Sequence, residues 1–382
     1  MLWPMGRFGD GIGVGSDLVE AAETAVAAAL APLHGRTPDL AVVFVAGPDP
    51  AEAGERALAL TGARATLGCS ASGIIGAGRG LEDVSAVSAF VAVLPGATLH
   101  TFHLEVMPTG GAAAVIGMPD HGGAPDEVAL LLADPYSFPV EGFVNQASQA
   151  MPGLPFVGGM AHGAGPGLTR LWVDGRVVDR GAVGVLIAGA SARPLVSQGC
   201  RGLGPPMTVT GVSGNVIRTL AGQPALAKVR SVLSTLPPPD QSLASLGLQI
   251  GVAADEYRED HEYLVRAIHG TEGDGLIIGD LVQVGQTVRL QVRDADAADA
   301  DLRAALARCP GQPGSGALLF SCNGRGAGLF GPSYGGAAHD VQLVRDGLAA
   351  DAVAGFFAGG EIGPVAGRSH LHSFTASMVV FP

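Results

Sequence analysis

One pattern recurs three times along the chain, near residues 40–94, 127–189 and 316–381. In each stretch an apolar run of strand length precedes a helical segment, and two further strand-like runs follow. A helical crossover places the first two strands parallel, and the third strand then returns antiparallel. We therefore predict an α/β (mixed α+β) fold, in which repeated strand-helix-strand-strand units form mixed sheets covered by helices.

The second strand of each unit ends in small residues, which are GCSASG at 68–73, GGMAHG at 158–163 and AGGEIG at 358–363. We expect these three ends to occupy equivalent positions in the fold. The three stretches agree in pattern and differ in residue identity. An internal duplication and a chance recurrence of a common unit therefore both stay open.

The length of 382 residues exceeds what a single hydrophobic core usually organises, so we expect two modules. The pattern places an N-terminal segment with a helix at 1–37, a first module at 38–220 and a second module at 221–382. Asp17 and Glu20 form a capping box at the start of the helix in the first segment.

Known sequence signatures of cofactor and metal sites are missing from the chain. The glycine-rich stretch GDGIGVG at 9–15 lacks the spacing of a dinucleotide-binding loop, and we expect it to be irregular. HExxH, GxxxxGK[ST] and GxSxG do not occur, and the four cysteines form no CxxC pair. We therefore expect no metal and no cofactor.

Composition and charge narrow the classes of partner. Hydrophobic residues make up 47% of the chain and charged residues 15%, which excludes a disordered chain. The net charge of −13 and the single lysine, Lys228, argue against nucleic-acid binding and against docking on a membrane. The N-terminus has no cationic region followed by an apolar one, so we expect a cytoplasmic protein.

Two stretches, LLFSCNGRGAGLFGPSY at 318–334 and GFFAGGEIGPV at 355–365, each pass from an apolar strand into glycines and polar groups. Bare backbone and free amides at strand ends allow a ligand to approach, so we predict a pocket between them. The candidate ligand-binding residues are Cys322, Asn323, Arg325, Gly326, Gly360 and Glu361, with Cys69, Ser70, Gly159 and His162 from the equivalent strand ends.

Arg325 and Glu361 indicate the class of ligand. An arginine between glycines can offer its planar fork to a carboxylate, and a glutamate can receive an ammonium group. Together they would suit an amino acid or a similar small carboxylate or zwitterion. The alternative is that these two side chains form a structural ion pair with each other.

A second alternative is an enzyme that uses Cys322 as its nucleophile, because a cysteine at a strand end beside glycines can be reactive. His162, His370 and His372 are candidate bases, although the sequence does not fix their distance from the thiol. A buried, unreactive Cys322 is the competing interpretation. We expect binding rather than catalysis.

Several motifs resemble the FIST family. The most specific are FSCNGRGAGLFG at 320–331 and GFFAGGEIGP at 355–364, which, with GQPAL at 222–226 and YLVRAI at 263–268, are similar to the FIST-C module. LGCSASG at 67–73 and FVGGMAHG at 156–163 are similar to the FIST-N module.

This resemblance implies an intracellular sensory domain that binds a small ligand, with amino acids as proposed ligands. FIST domains are often fused to kinase, chemoreceptor or cyclase outputs or to an F-box. This chain reaches Pro382 without such an output domain. We therefore expect a stand-alone small-ligand-binding protein whose part in signal transduction involves a separate partner protein.

Overall fold

The computed structural model describes residues 6–110, 112–256, 262–309 and 314–382. Two compact units can be distinguished, and each is described by itself. The first consists of Met1–Ser197, Leu302–Leu371 and Thr375–Pro382, and the second of Gln198–Asp301 and His372–Phe374. Because compact units and sequence modules divide a chain on different grounds, the module boundary near residue 220 stays a prediction.

The first half of the chain is mostly short strands with three α-helices between them. In chain order the elements are β1 (Arg7–Val14), α1 (Leu18–Leu30), β2 (Leu40–Ala46), α2 (Ala51–Thr61), β3 (Ala65–Ala71), β4 (Gly73–Gly76), β5 (Arg79–Glu82), β6 (Ala86–Val93), β7 (Thr98–Thr109), β8 (Ala112–Ile116), β9 (Val128–Ala133), α3 (Val140–Ala150), β10 (Phe156–Met160), β11 (Leu171–Val173), β12 (Arg176–Val178), β13 (Ala182–Ala188) and β14 (Arg193–Gln198).

The second half has a similar mixture. Its elements are β15 (Cys200–Ser213), β16 (Val216–Leu220), β17 (Gln223–Pro224), α4 (Ala225–Ser234), α5 (Pro238–Leu246), β18 (Leu248–Ala253), β19 (Tyr263–Glu272), β20 (Gly275–Ile278), β21 (Thr287–Arg293), α6 (Ala295–Arg308), β22 (Ser315–Cys322), α7 (His339–Leu348), β23 (Ala350–Ala358), β24 (Glu361–Val365), β25 (Arg368–His372) and β26 (Thr375–Phe381). Short 3₁₀ turns lie at Ala31–Leu33, Pro332–Tyr334 and Gly336–Ala338.

The three predicted units are present in the first compact unit. They are β2-α2-β3-β6, β9-α3-β10-β13 and β22-α7-β23-β26. In each, the first strand lies between a parallel second strand and an antiparallel return strand. The first strands are buried along their whole length, as is usual for a strand covered on both faces. The predicted mixed α+β fold class is confirmed.

Each unit sends a two-stranded hairpin to another unit. After β3, the hairpin β4-β5 pairs with β23, and after β10, the hairpin β11-β12 pairs with β3. After β23, the hairpin β24-β25 pairs with β10 and completes the cycle. An unpaired edge strand exposes backbone N–H and C=O groups, and this exchange covers the edge of every second strand.

The registers of these pairings show that the second-strand ends are equivalent. Gly68 and Gly158 lie opposite the fourth residue of a first strand, Gly355 lies opposite the fifth, and all three also pair with an incoming hairpin. A Cβ atom at any of these glycines would lie less than 3.0 Å from a carbonyl oxygen of the first strand. Close approach of the two backbones therefore requires glycine at the same place in all three units.

Aromatic side chains join the first and third units in the core. The rings of Phe44 and Phe356 are 5.1 Å apart between centroids, and those of Phe320 and Phe356 are 5.6 Å apart. Phe44 lies on β2, whereas Phe320 and Phe356 lie on β22 and β23. Such contacts stabilise the packing of two sheets beyond the area they bury.

The prediction of an irregular stretch before Asp17 is wrong, because β1 pairs along its full length with β6. Gly9, Gly11 and Gly13 lie against α1, where a Cβ would approach carbonyl oxygens of that helix within less than 3.0 Å. Alternate glycines therefore form one face of a strand that packs closely on a helix. The predicted cap is present, since Asp17 Oδ1 accepts hydrogen bonds from the amides of Val19 and Glu20 at 3.0 and 3.1 Å.

The second compact unit contains one sheet of seven strands in the order β15-β21-β18-β19-β20-β16-β17. Its neighbouring strands pair antiparallel. A separate hydrophobic core contains Leu203, Ile250 and Leu290 of this sheet together with residues of α4. This unit is therefore built around its own core.

We expect the substitution Gly355→Ala to lower the free energy of unfolding by roughly 3 kcal/mol or more, because the added methyl group collides with the backbone of β22. Chemical denaturation of the purified proteins measures this change. Gly359→Ala is the matched control, since a Cβ at Gly359 meets no atom within 4 Å. Equal stability of the two variants would contradict the close strand approach.

Candidate functional site

Arg325 is fully buried and forms a two-point ion pair with Asp340. Its Nε donates to Asp340 Oδ2 at 2.8 Å, and its Nη2 donates to Asp340 Oδ1 at 2.9 Å. Asp340 lies in the first turn of α7, and Arg325 lies in the loop that leaves the carboxyl end of β22. The alternative that Arg325 forms its ion pair with Glu361 is therefore wrong, because its carboxylate partner is Asp340.

Asp340 is held in its charged form by several neighbours. Ser321 Oγ donates to Asp340 Oδ2 at 2.7 Å, and His339 Nδ1 lies 3.0 Å from Asp340 Oδ1. Burial by itself would raise the pKa of Asp340, but the Arg325 guanidinium and these hydrogen bonds hold that pKa well below its usual range. The pair is thus a neutral, rigid unit at neutral pH.

Aromatic stacking holds the loop onto α7. The ring of Phe330 stacks on the imidazole of His339 with a centroid distance of 3.6 Å. The Arg325 guanidinium carbon lies 5.4 Å from the centre of the same Phe330 ring, which allows a cation–π interaction. The loop thereby fixes the direction of the arginine.

Glu361 is the first residue of β24 and is fully buried beside Gly159 of β10. Its Oε2 accepts hydrogen bonds from the Thr375 amide at 3.1 Å and from Thr375 Oγ1 at 2.9 Å. Burial raises the pKa of Glu361 to about 8, although the bonds from Thr375, the Cys322 thiol and the charge of Arg325 all oppose this rise. At neutral pH the side chain is therefore mostly protonated.

The position of Glu361 differs from the equivalent positions in the other two hairpins. The registers place Leu171 of β11 and Ile74 of β4 where β24 has Glu361, and both of these aliphatic side chains are fully buried. A carboxyl group at such a position costs free energy of desolvation that leucine or isoleucine would not. Perturbed, buried carboxyl groups of this kind are typical of functional sites.

Two polar atoms of these side chains lack a hydrogen-bond partner among the described residues: Arg325 Nη1 and Glu361 Oε1. The two side chains interact electrostatically with each other and with Cys322. The Cys322 thiol lies 3.7 Å from Asn323 Oδ1 and accepts from the Gly324 amide at 3.4 Å. We call Cys322, Arg325, Asp340 and Glu361 the arginine–acid cluster.

Three other predicted residues lie near the cluster in the chain but have different roles. Asn323 is exposed, and the backbone at Gly326 is covered by the Glu82 carboxylate, whose Oε2 accepts from the Ala327 amide at 2.8 Å. The Gly360 carbonyl accepts from the Met160 amide at 2.8 Å and so continues the pairing of strands. The bare backbone at Gly326 is thus occupied by a side chain of the same protein.

The predicted residues from the equivalent strand ends lie in different surroundings: beside the arginine–acid cluster, in the hydrophobic core and at a junction of two strand ends. Gly159 pairs with Glu361 and lies beside the arginine–acid cluster. Cys69 is fully buried in the hydrophobic core, where burial raises the pKa of its thiol well above the ordinary value. Ser70 connects two strand ends, since its Oγ donates to the His162 carbonyl at 2.6 Å.

Ser70 and His162 border a separate pocket of about 440 Å³. This pocket lies at the carboxyl ends of β2 and β3, beside the start of α2, and Arg170 also lines it. The sequence-predicted residues therefore do not form one continuous pocket. Some lie in or beside the buried arginine–acid cluster, Ser70 and His162 border the open pocket, Cys69 lies in the hydrophobic core, and Asn323 is exposed.

Sequence reasoning did not find Ser321, Phe330 or Thr375, which orient the charged groups of the cluster. These residues act through packing and hydrogen bonds over distances that no local pattern reports. Asp340 was visible as an acidic residue in the first turn of a predicted helix, a position that suits a carboxylate near the helix N-terminus. Its pairing with Arg325 had no sequence signal.

Comparison with known proteins identifies the family. The family described as FIST N domain matches residues 39–223, and the family described as FIST C domain matches residues 225–364. The chain belongs to the FIST family. FIST domains are generally described as sensory domains that bind small ligands.

Similar full-length proteins occur in mycobacteria. An uncharacterised protein of Mycobacterium tuberculosis is 42% identical over 388 residues, which cover 98% of this FIST protein and 99% of the relative. An uncharacterised protein of Mycobacterium bovis is 39% identical over 388 residues, with 98% of each chain covered. These relatives support the family assignment without adding a ligand.

Within the described ranges, no group of three or more histidine, cysteine, aspartate or glutamate side chains is arranged to hold a metal ion. No helix in the same part of the chain has both the length and the apolar character needed to cross a membrane.

We expect the free energy of unfolding to fall as the pH rises from about 5 to 8, and Glu361→Gln to remove this part of the pH dependence. The pKa of Glu361 is about 8 in the folded protein, above its ordinary value of 4.5. Between these values the folded state holds a proton that the unfolded state has lost, so rising pH favours unfolding by about 1 kcal/mol per pH unit.

Urea denaturation at several pH values measures this dependence. Glu52→Gln serves as the matched control, because Glu52 is exposed on α2 and its substitution should leave the pH dependence unchanged. An unaltered pH profile in Glu361→Gln would show that Glu361 is ionised in the folded protein at neutral pH.

Proposed function

We propose that this FIST protein is a sensory protein that binds an amino acid or a similar small carboxylate or zwitterion at the arginine–acid cluster. The observation that carries the proposal is the pair of buried atoms without hydrogen-bond partners among the described residues, Arg325 Nη1 and Glu361 Oε1. Both belong to side chains with no exposed surface.

The energetics of these two atoms favour a bound polar group. A buried donor or acceptor that makes no hydrogen bond costs about 1–3 kcal/mol, and a ligand that supplies the missing partner regains this amount. Arginine is also the residue type that recognises carboxylate groups through its planar fork. A small polar molecule therefore fits this cluster better than an apolar one.

Ligand entry requires movement of the segment 323–338, because both side chains are fully buried. The contacts that such a movement would release include the bond from the Ala327 amide to Glu82 and the stacking of Phe330 on His339. Movement of a segment on ligand binding is a common way in which a sensory domain transmits a signal to a partner protein.

Thermal melting against a panel of amino acids, small carboxylates and nucleotides tests the proposal. A compound at 100 times its dissociation constant stabilises the fold by ~2.7 kcal/mol, which shifts the melting temperature by several degrees. We expect such a shift with amino acids or small carboxylates. No shift with any compound of the panel would contradict the proposed function.

The variant Arg325→Lys tests whether the ligand binds at the arginine–acid cluster. Arg325→Ala would leave Asp340 as an unpaired buried charge and is expected to cost about 3–5 kcal/mol of stability. Lysine keeps the charge opposite Asp340 but lacks the Nη1 donor, so we expect a folded protein with a much smaller ligand-induced shift. Arg36→Lys, at an exposed arginine, is the matched control and should keep the full shift.

A further inference from the structure

The hydrogen bonds of Glu361 determine which of its oxygens carries the proton. Oε2 already accepts two hydrogen bonds, from the amide and the hydroxyl of Thr375. An oxygen that faces two donors is a poor place for a third proton. In the uncharged carboxyl group the proton therefore resides on Oε1, which has no hydrogen-bond partner among the described residues.

The uncharged cluster consequently presents donors and no matching acceptor. Glu361 Oε1 offers an O–H group, and Arg325 Nη1 offers N–H groups. The acceptor atoms of Asp340 are already bonded to Arg325 and Ser321. An ammonium group has only donors and finds no partner in this arrangement, whereas a carboxylate accepts from both atoms.

We propose that the arginine–acid cluster binds the carboxylate group of its ligand through Arg325 Nη1 and the protonated Oε1 of Glu361, so that the affinity falls when Glu361 loses its proton. This inference rests on the proposed function and specifies which end of a zwitterionic ligand the cluster recognises.

The balance of charge at the cluster supports this assignment. Arg325 is already neutralised by Asp340, so a bound carboxylate adds one negative charge to a buried site. An ionised Glu361 would add a second negative charge beside it, and two buried like charges repel strongly. Retention of the proton on Glu361 avoids this repulsion and supplies a charge-assisted hydrogen bond.

The titratable groups around Glu361 come from three elements. Cys322 lies at the end of β22, Arg325 lies in the loop that follows, and Asp340 with His339 lies at the start of α7. Arg325 and Asp340 keep their charges throughout the neutral range. Burial opposes both charges, but the attraction and hydrogen bonds between the two side chains lower the pKa of Asp340 and raise that of Arg325. Glu361, with a pKa of about 8, is the group whose change of charge the proposal concerns.

Calorimetric titrations with glycine, acetate and methylamine between pH 6 and pH 9.5 test the inference. We expect glycine and acetate to bind and methylamine not to bind. The affinity for acetate should be constant below about pH 7 and fall about tenfold between pH 7 and pH 9, as the protonated fraction of Glu361 falls.

The variant Glu361→Gln tests whether the pH dependence of binding comes from the proton on Glu361. The Thr375 amide requires an oxygen at the Oε2 position, so the glutamine places its NH₂ group at the Oε1 position as a permanent donor. We expect this variant to bind acetate with an affinity that no longer depends on pH. Glu52→Gln, at an exposed glutamate on α2, is the matched control and should keep the pH dependence of the wild-type protein.

The results that would contradict the carboxylate assignment differ from those that would contradict the proposed function. Binding of methylamine, an affinity that rises with pH, or loss of acetate binding in Glu361→Gln would each overturn the carboxylate assignment while the proposed ligand-binding function stands. Loss of the pH dependence in Glu52→Gln as well would show that the loss is not specific to Glu361 and would also overturn the assignment. No binding of the three probes, together with no melting shift from any panel compound, would overturn both proposals.

Discussion

The exchange of hairpins among the three units is the constraint on which the rest of the first compact unit depends. Every second strand would have an open edge within its own unit, and each edge is paired with a hairpin from another unit. This closed cycle brings the strand ends at Ser70, Met160 and Ala358 into hydrogen-bonded contact with neighbouring ends. It also fixes Glu361, the first residue of one exchanged hairpin, beside Gly159.

The unusual features of the molecule are concentrated where the three units differ from one another. Two hairpins place an aliphatic residue next to the second strand, and the third places Glu361 there, with its pKa raised to about 8 by burial. Arg325 and Asp340 form a neutral pair close by and leave one guanidinium nitrogen without a partner among the described residues. A stable core does not require this arrangement, which is why we assign it to ligand binding.

Much of the fold follows from local sequence patterns, whereas the contacts of the site do not. Apolar runs, helical segments and strand-end glycines predict the three units, because hydrophobic period and turn chemistry are local properties. The strand β1 was not predicted, because glycine at alternate positions does not give the alternation of apolar and polar residues that usually marks a strand. The pairing of Arg325 with Asp340 rather than Glu361 depends on how a loop folds back onto α7, and the exchange of hairpins depends on pairings between distant strands.

The central claim is that Glu361 is a protonated acid that takes part in ligand binding, and carbon-13 NMR of the glutamate side-chain carboxyl carbons measures it most directly. The Glu361 signal is assigned by its absence from Glu361→Gln. The account predicts a titration midpoint near pH 8 in the free protein, and a higher midpoint in the presence of acetate. A midpoint in the ordinary glutamate range of about 4, with no response to acetate, would contradict it.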